Sequence, residues 1–119
     1  MNRLAPLLLL PIGFAVHAQD DASAIHAASI PFDSHVDIPF DYATDAVDPL
    51  DGDLQVNLEK MREGGLDAAF FIVYVGQTAR TAANYAQAAT DAMTKFDAIH
   101  RMTTTYPDLI GLAESAADV

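Results

Sequence analysis

The chain has 119 residues, seventeen Asp and Glu against six Lys and Arg, and a net charge of −11. Phosphate binding depends on clustered cations, so six scattered basic residues exclude nucleic acid as a partner, and the same balance opposes adsorption to anionic lipid. The absence of Cys rules out a disulfide framework and leaves His, Asp and Glu as the side chains to hold any metal.

Residues 1–18 read as a cleavable export signal. Arg3 is the positive start, Leu4 to Val16 form a short apolar core interrupted by Pro11 and Gly13, and Val16-His17-Ala18 ends on a small residue suited to a cut before Gln19. An apolar run of this length falls short of the roughly 20 residues that span a bilayer. An uncleaved anchor is the alternative, but no other stretch is long enough to span. The mature chain is therefore expected in the periplasm or outside the cell, without a transmembrane segment. Cleavage removes one basic residue and no acidic one, which leaves a net charge of −12.

Residues 19–28 are small, polar and Ala-rich, and predict a mobile tail. Residues 29–119 form the one folded unit. Its first strand is predicted over Ser29 to Asp37, followed by a solvated acidic loop holding Asp41, Asp45, Asp48, Asp51 and Asp53 with Pro49 and Gly52. No frame of these aspartates fits the EF-hand spacing for calcium. A short helix is predicted over Leu58 to Glu63, with Asn57 as its N-cap and Gly64-Gly65 as its stop. Asp67 to Val75 is a continuous apolar run bounded by Gly65 and Gly76, the pattern of a strand buried on both faces.

The period then changes. Tyr85, Ala89, Ala92, Phe96, Ile99, Met102 and Tyr106 recur at spacings of three and four, which predicts one core-facing stripe on a helix running from about Ala79 to Tyr106. Pro107 ends it. Leu109 to Ala113 reads as a third strand, and Glu114 to Val119 as the opening of another helix. Strands separated by a helix of this length predict a βαβ crossover, a parallel sheet and an α/β fold.

The chemistry-bearing motif is Phe32-Asp33-Ser34-His35-Val36-Asp37-Ile38-Pro39. Residues two apart in a strand project from the same face, so His35 and Asp37 can converge on one metal ion. An imidazole nitrogen and a carboxylate oxygen are both ordinary zinc ligands. In an Asp-rich chain the same pair also arises by chance, and the motif alone leaves both readings open.

Three blocks together resemble the membrane (renal-type) dipeptidases, peptidase family M19, a branch of the metal-dependent amidohydrolases. The first is Asp33-Ser34-His35-Val36-Asp37-Ile38-Pro39-Phe40. The second is Asn57-Leu58-Glu59-Lys60-Met61-Arg62-Glu63-Gly64-Gly65 leading into Phe70-Phe71-Ile72-Val73-Tyr74-Val75. The third is Ile99-His100-Arg101-Met102 with Tyr106-Pro107. In order and spacing they cover about residues 30–112.

The resemblance implies a (β/α)8 TIM barrel with two zinc ions at the C-terminal ends of its strands, hydrolysing the peptide bond of dipeptides. His35 and Asp37 match the pair that holds one of the metals. Tyr74 and Phe40 fall where the family lines its substrate pocket, although Phe40 stands in place of a Trp and lacks the indole donor. Asp33 is expected to be a hydrogen-bonded structural carboxylate on the same strand face as the ligands. Ser34 in place of Gly is expected to be harmless, His100 structural, and His26 solvated. No catalytic residue falls within the chain, because the bridging Glu, the two His of the second metal and the acid for the leaving amine are expected after Val119. A barrel needs about 250 residues, so the resemblance implies an N-terminal portion truncated after two or three βα units, inactive alone, with a homodimer as one assembly open to the parent. The alternatives are another amide or lactam hydrolase, which requires the same following Glu, two His and late Asp, and an exported acidic binding module, which requires none of them.

Overall fold

The computed structural model describes residues 14–119, so most of the export-signal reading, which falls on residues 1–13, lies outside the described residues. The elements in chain order are α1 (Phe14–Ala27), β1 (Phe32–Asp37), α2 (Leu58–Gly64), β2 (Ala68–Ile72) and α3 (Ala82–Thr105). The segment predicted as a tail is helical, and residues 21–30 along it are exposed. Ala is the strongest helix former, and an Ala-rich segment can hold a helix with little burial. The Ser29 hydroxyl closes its end by donating to the Ile25 carbonyl at 2.6 Å.

β1 and β2 pair in parallel, which agrees with the parallel sheet expected, but the crossover predicted through the long helix to residues 109–113 is not formed among the described residues. The register joins Phe32 to Ala68 and Asp33 to Ala69, then Val36 to Phe71 and Asp37 to Ile72. β1 thus advances three residues where β2 advances two, which is a β-bulge between Asp33 and Val36. Only one face of this sheet is covered. Val36 and Ile38 are buried, while Phe32 and Phe70 stay 60% and 63% exposed on the other side, their rings meeting edge to face at 6.1 Å. The expectation that β2 is buried on both faces is therefore not met. Its apolar run supplies a second buried-type face, but helices cover just one side.

The connection from β1 to β2 is more ordered than a solvated loop. Asp41, Asp45, Asp51 and Asp53 are exposed, but Tyr42 is buried and Asp48 accepts from the Leu50 N–H at 2.8 Å. Ala43 takes a left-handed φ of 57°. Its carbonyl and that of Tyr42 accept from the Arg101 guanidinium at 3.2 and 3.1 Å, which ties this strained corner to α3. Helix α2 follows its sequence signals closely. Asn57 accepts from the Lys60 N–H at 2.8 Å as N-cap, and Gly65 closes the end with φ 63° and ψ 39°.

Ile38, Tyr42, Leu58, Met61, Ala98 and Met102 form the core, where the β1 end, the crossover, α2 and α3 meet. The Tyr42 hydroxyl donates to the Met102 Sδ at 2.9 Å, so the largest buried side chain keeps a partner for its polar tip. α3 begins at Thr81, whose hydroxyl accepts from the Asn84 N–H at 3.2 Å, and ends before Pro107. Its buried stripe matches the predicted one at Ile99, Met102 and Tyr106 and departs from it towards the N-terminal end. Lys95, Ala98 and Met102 are buried, with Ile99 and Tyr106 packed beside them, whereas Tyr85 and Phe96 are exposed. The helix carries apolar residues on two faces, and periodicity cannot tell which one meets the sheet.

The predicted third strand is absent. Residues 109–113 make no ladder among the described residues, and a strand exists only through its partner. The predicted last helix is a turn instead. There the Asp118 carboxylate accepts from the N–H groups of Glu114 and Ser115 at 2.9 and 2.7 Å, a local side-chain alternative to helix hydrogen bonds.

Candidate metal centre

Because parallel strands end at the same edge, His35, Asp37, Phe40 and Tyr74 all lie at or just beyond the C-terminal ends of β1 and β2. His35 and Asp37 lie on the open face, 62% and 67% exposed, with Val36 between them turned into the core. His35 Nε2 and Asp37 Oδ1 are 3.5 Å apart. That is too long for a good hydrogen bond, so neither atom is used up by the other. It does match the separation of two ligands on one tetrahedral ion: bonds of about 2.1 Å at the tetrahedral angle put the donors about 3.4 Å apart. Imidazole nitrogen with carboxylate oxygen is also a donor set that zinc accepts, so the pair fits two of the four corners of such a site. Among the described residues no group of three or more His, Asp or Glu side chains could enclose an ion.

Asp33 is half-buried, and its Oδ1 accepts from the His35 N–H at 2.8 Å. The hydrogen-bonded role read from the sequence is present, but the shared face is not. In the register Asp33 pairs with Ala69 and Val36 with Phe71, so Asp33 belongs to the helix-covered side while His35 and Asp37 point away from it. The bulge explains the difference, because an extra residue breaks the alternation on which the expectation rested.

Phe40 and Tyr74 are about half exposed. The Lys95 Nζ is 4.9 Å from the centre of the Phe40 ring and 5.9 Å from that of Tyr74. A cation over the face of an aromatic ring is held by the ring quadrupole, and here one cation joins both rings. Lys95 is buried, which sequence reasoning missed. The signal was its position three and seven residues before Ala98 and Met102, on the helix face that meets the core. His100 is exposed near the far end of α3, in a shallow surface groove with Asp97, Arg101, Thr104 and Thr105, away from the strand ends. His26 is exposed, but its ring also lies against Gly65.

Comparisons with known proteins agree with the three-block resemblance. Over 69 residues, 55% of its length, the chain is 32% identical to the dipeptidase ataJ of Aspergillus terreus (strain NIH 2624 / FGSC A1156). The crystal structure of the probable dipeptidase PvdM from Pseudomonas aeruginosa superposes on 88% of the chain with a TM-score of 0.73 at 23% identity, which establishes a shared α/β fold over that part. The chain spans 17% of the length of the first protein and 28% of the second. The family model described as membrane dipeptidase (peptidase family M19) matches residues 19–119. By that match, the chain belongs to the membrane dipeptidase family.

Proposed function

We propose that the protein carrying this chain is a zinc-dependent dipeptidase of TIM-barrel architecture, in which His35 and Asp37 hold one of two metal ions. The observation that carries this reading is the 3.5 Å separation of Nε2 and Oδ1 on the open face of β1, at its C-terminal end. That is the strand end at which barrel enzymes place their chemistry. Bound zinc would polarise the scissile carbonyl and make hydroxide available near neutral pH. His35 contributes a neutral nitrogen and Asp37 a negative oxygen, and Val36 anchors the segment between them in the core. Phe40 and Tyr74, bridged by Lys95, form an aromatic wall at the same edge, suited to pack against a dipeptide side chain. The remaining ligands and the acid for the leaving amine are supplied by the rest of the parent protein.

The test is metal per protein by elemental analysis, with hydrolysis of a small dipeptide panel with and without chelator. His35→Ala and Asp37→Ala in the full-length protein should each lose metal and nearly all activity, while Asp45→Ala in the exposed loop keeps both. Full metal occupancy in the first two variants would refute the assignment.

Export to the periplasm or the medium accompanies this reading. It rests on the charged start, the short apolar core and the small residue at position 18. Among the described residues no helix is long and apolar enough to cross a membrane. Mass spectrometry of exported protein should find Gln19 as the first residue, and retention of residues 1–18 would reject cleavage there.

A further inference from the structure

The alternation of β1 cannot by itself put the metal pair where it is. Phe32 lies on the open face with Phe70, and its neighbour Asp33 therefore takes the helix-covered side. Continued without a break, the alternation would bring His35 and Asp37 to the covered side as well and turn Val36 outward. The structure shows the reverse, with Val36 buried and both ligands exposed. The bulge between Asp33 and Val36 makes that exchange of faces.

A bulge takes backbone groups out of the regular ladder, and an N–H left without a partner is costly. Neither Ser34 nor His35 has a partner residue in the β1–β2 register, and the Asp33 Oδ1 receives the His35 N–H at 2.8 Å. We propose that Asp33 is a positioning residue for the metal pair: its carboxylate oxygen, by holding the His35 N–H, fixes the bulge that turns His35 and Asp37 onto the open face. This rests on the metal reading above and adds a residue that touches neither the metal nor the substrate.

The role asks only for an acceptor oxygen two residues before His35. An Asn supplies that oxygen without the charge, and an Ala does not. A carboxylate that ligated the metal would behave differently, since Asn would then fail almost as badly as Ala. The experiment is zinc competition between a chromogenic chelator and the metal-free full-length protein, with thermal midpoints measured alongside. Asp33→Ala should weaken zinc binding by roughly ten- to a hundredfold, the range for loss of a partner that orients a ligand. Asp33→Asn should stay within about threefold of the parent, and His35→Ala should lose the site. Zinc affinity unchanged in Asp33→Ala, beside a loss in His35→Ala, would overturn the positioning role and leave the metal reading intact. Equal losses in Asp33→Asn and Asp33→Ala would overturn it in favour of charge or direct ligation. Full affinity in His35→Ala would overturn both readings. Should Asp33→Ala fail to fold, hydrogen exchange at the His35 amide in the parent and in Asp33→Asn decides the matter. Protection in both supports the bond, and exchange at the rate of an open loop overturns it.

Discussion

The Tyr106 hydroxyl donates to the Asp48 carboxylate at 2.6 Å, tying the C-cap of α3 to the acidic connection 58 residues earlier. The bond holds the Asp48 carboxyl below its ordinary range, helped by the Leu50 N–H, and raises the Tyr106 phenol above its own. A depressed carboxyl stabilises the fold above its unfolded pKa, and this is lost as pH falls through the folded value. A raised phenol stabilises below about 10, and this is lost as pH rises through the folded value. Tyr106→Phe is therefore expected to lower the thermal midpoint most between about pH 5 and 9, with the gap to the parent narrowing towards acid and alkali. A gap that is flat with pH would show that the bond contributes only through packing.

Gly65 is constrained twice. Its φ of 63° is left-handed, and a Cβ placed there would approach the His26 ring to 2.7 Å. Gly65→Ala should destabilise by about 1–2 kcal/mol from the backbone alone, with more from the contact. In urea unfolding, His26→Ala should recover the contact part and leave the backbone part. Simple additivity of the two changes would mean that α1 does not rest on Gly65 in solution.

The Lys95 stem is buried, and its Nζ lies beside two rings with no carboxylate within salt-bridge distance among the described residues. Among the described residues no buried side-chain nitrogen is left without a partner, so the ammonium keeps its contact with solvent. Contacts of this kind contribute about 0.5–1 kcal/mol at solvated sites. Lys95→Met keeps the buried stem and loses the ring contacts, so its thermal midpoint should fall by a few degrees. An unchanged or higher midpoint would show that the ring contacts contribute nothing.

What the sequence revealed was local. The caps Asn57 and Gly65 were legible because each satisfies backbone groups within its own helix end, and the shared face of His35 and Asp37 was legible because their spacing survives in the strand. What depended on pairing was not. The bulge exists only relative to β2, so the side on which Asp33 falls could not be read from β1 alone. The stripe on α3 is met at Ile99, Met102 and Tyr106 but not at Tyr85 and Phe96, because these offer as good a period as Lys95 and Ala98 and only the position of the sheet decides between them. Lys95 was missed because lysine is ordinarily solvated. The strand read over Leu109 to Ala113 has the right composition, but strand structure resides in the ladder and not in the segment.

The ordered crossover also bears on how the sheet assembles. No ladder bond between β1 and β2 can form until some thirty residues have been drawn into a closed loop, an entropic debt that ordinarily slows parallel pairing. Here Asn57 reaches back to the Gly52 carbonyl at 3.0 Å, and the Leu58 and Glu59 N–H groups bond to the Pro49 and Leu50 carbonyls, so the latter part of that loop is stapled by contacts less than ten residues apart in sequence. Such short-range closures can form early and shorten the effective search for the partner strand. The acidic connection would then set the speed of folding more than the depth of the folded well.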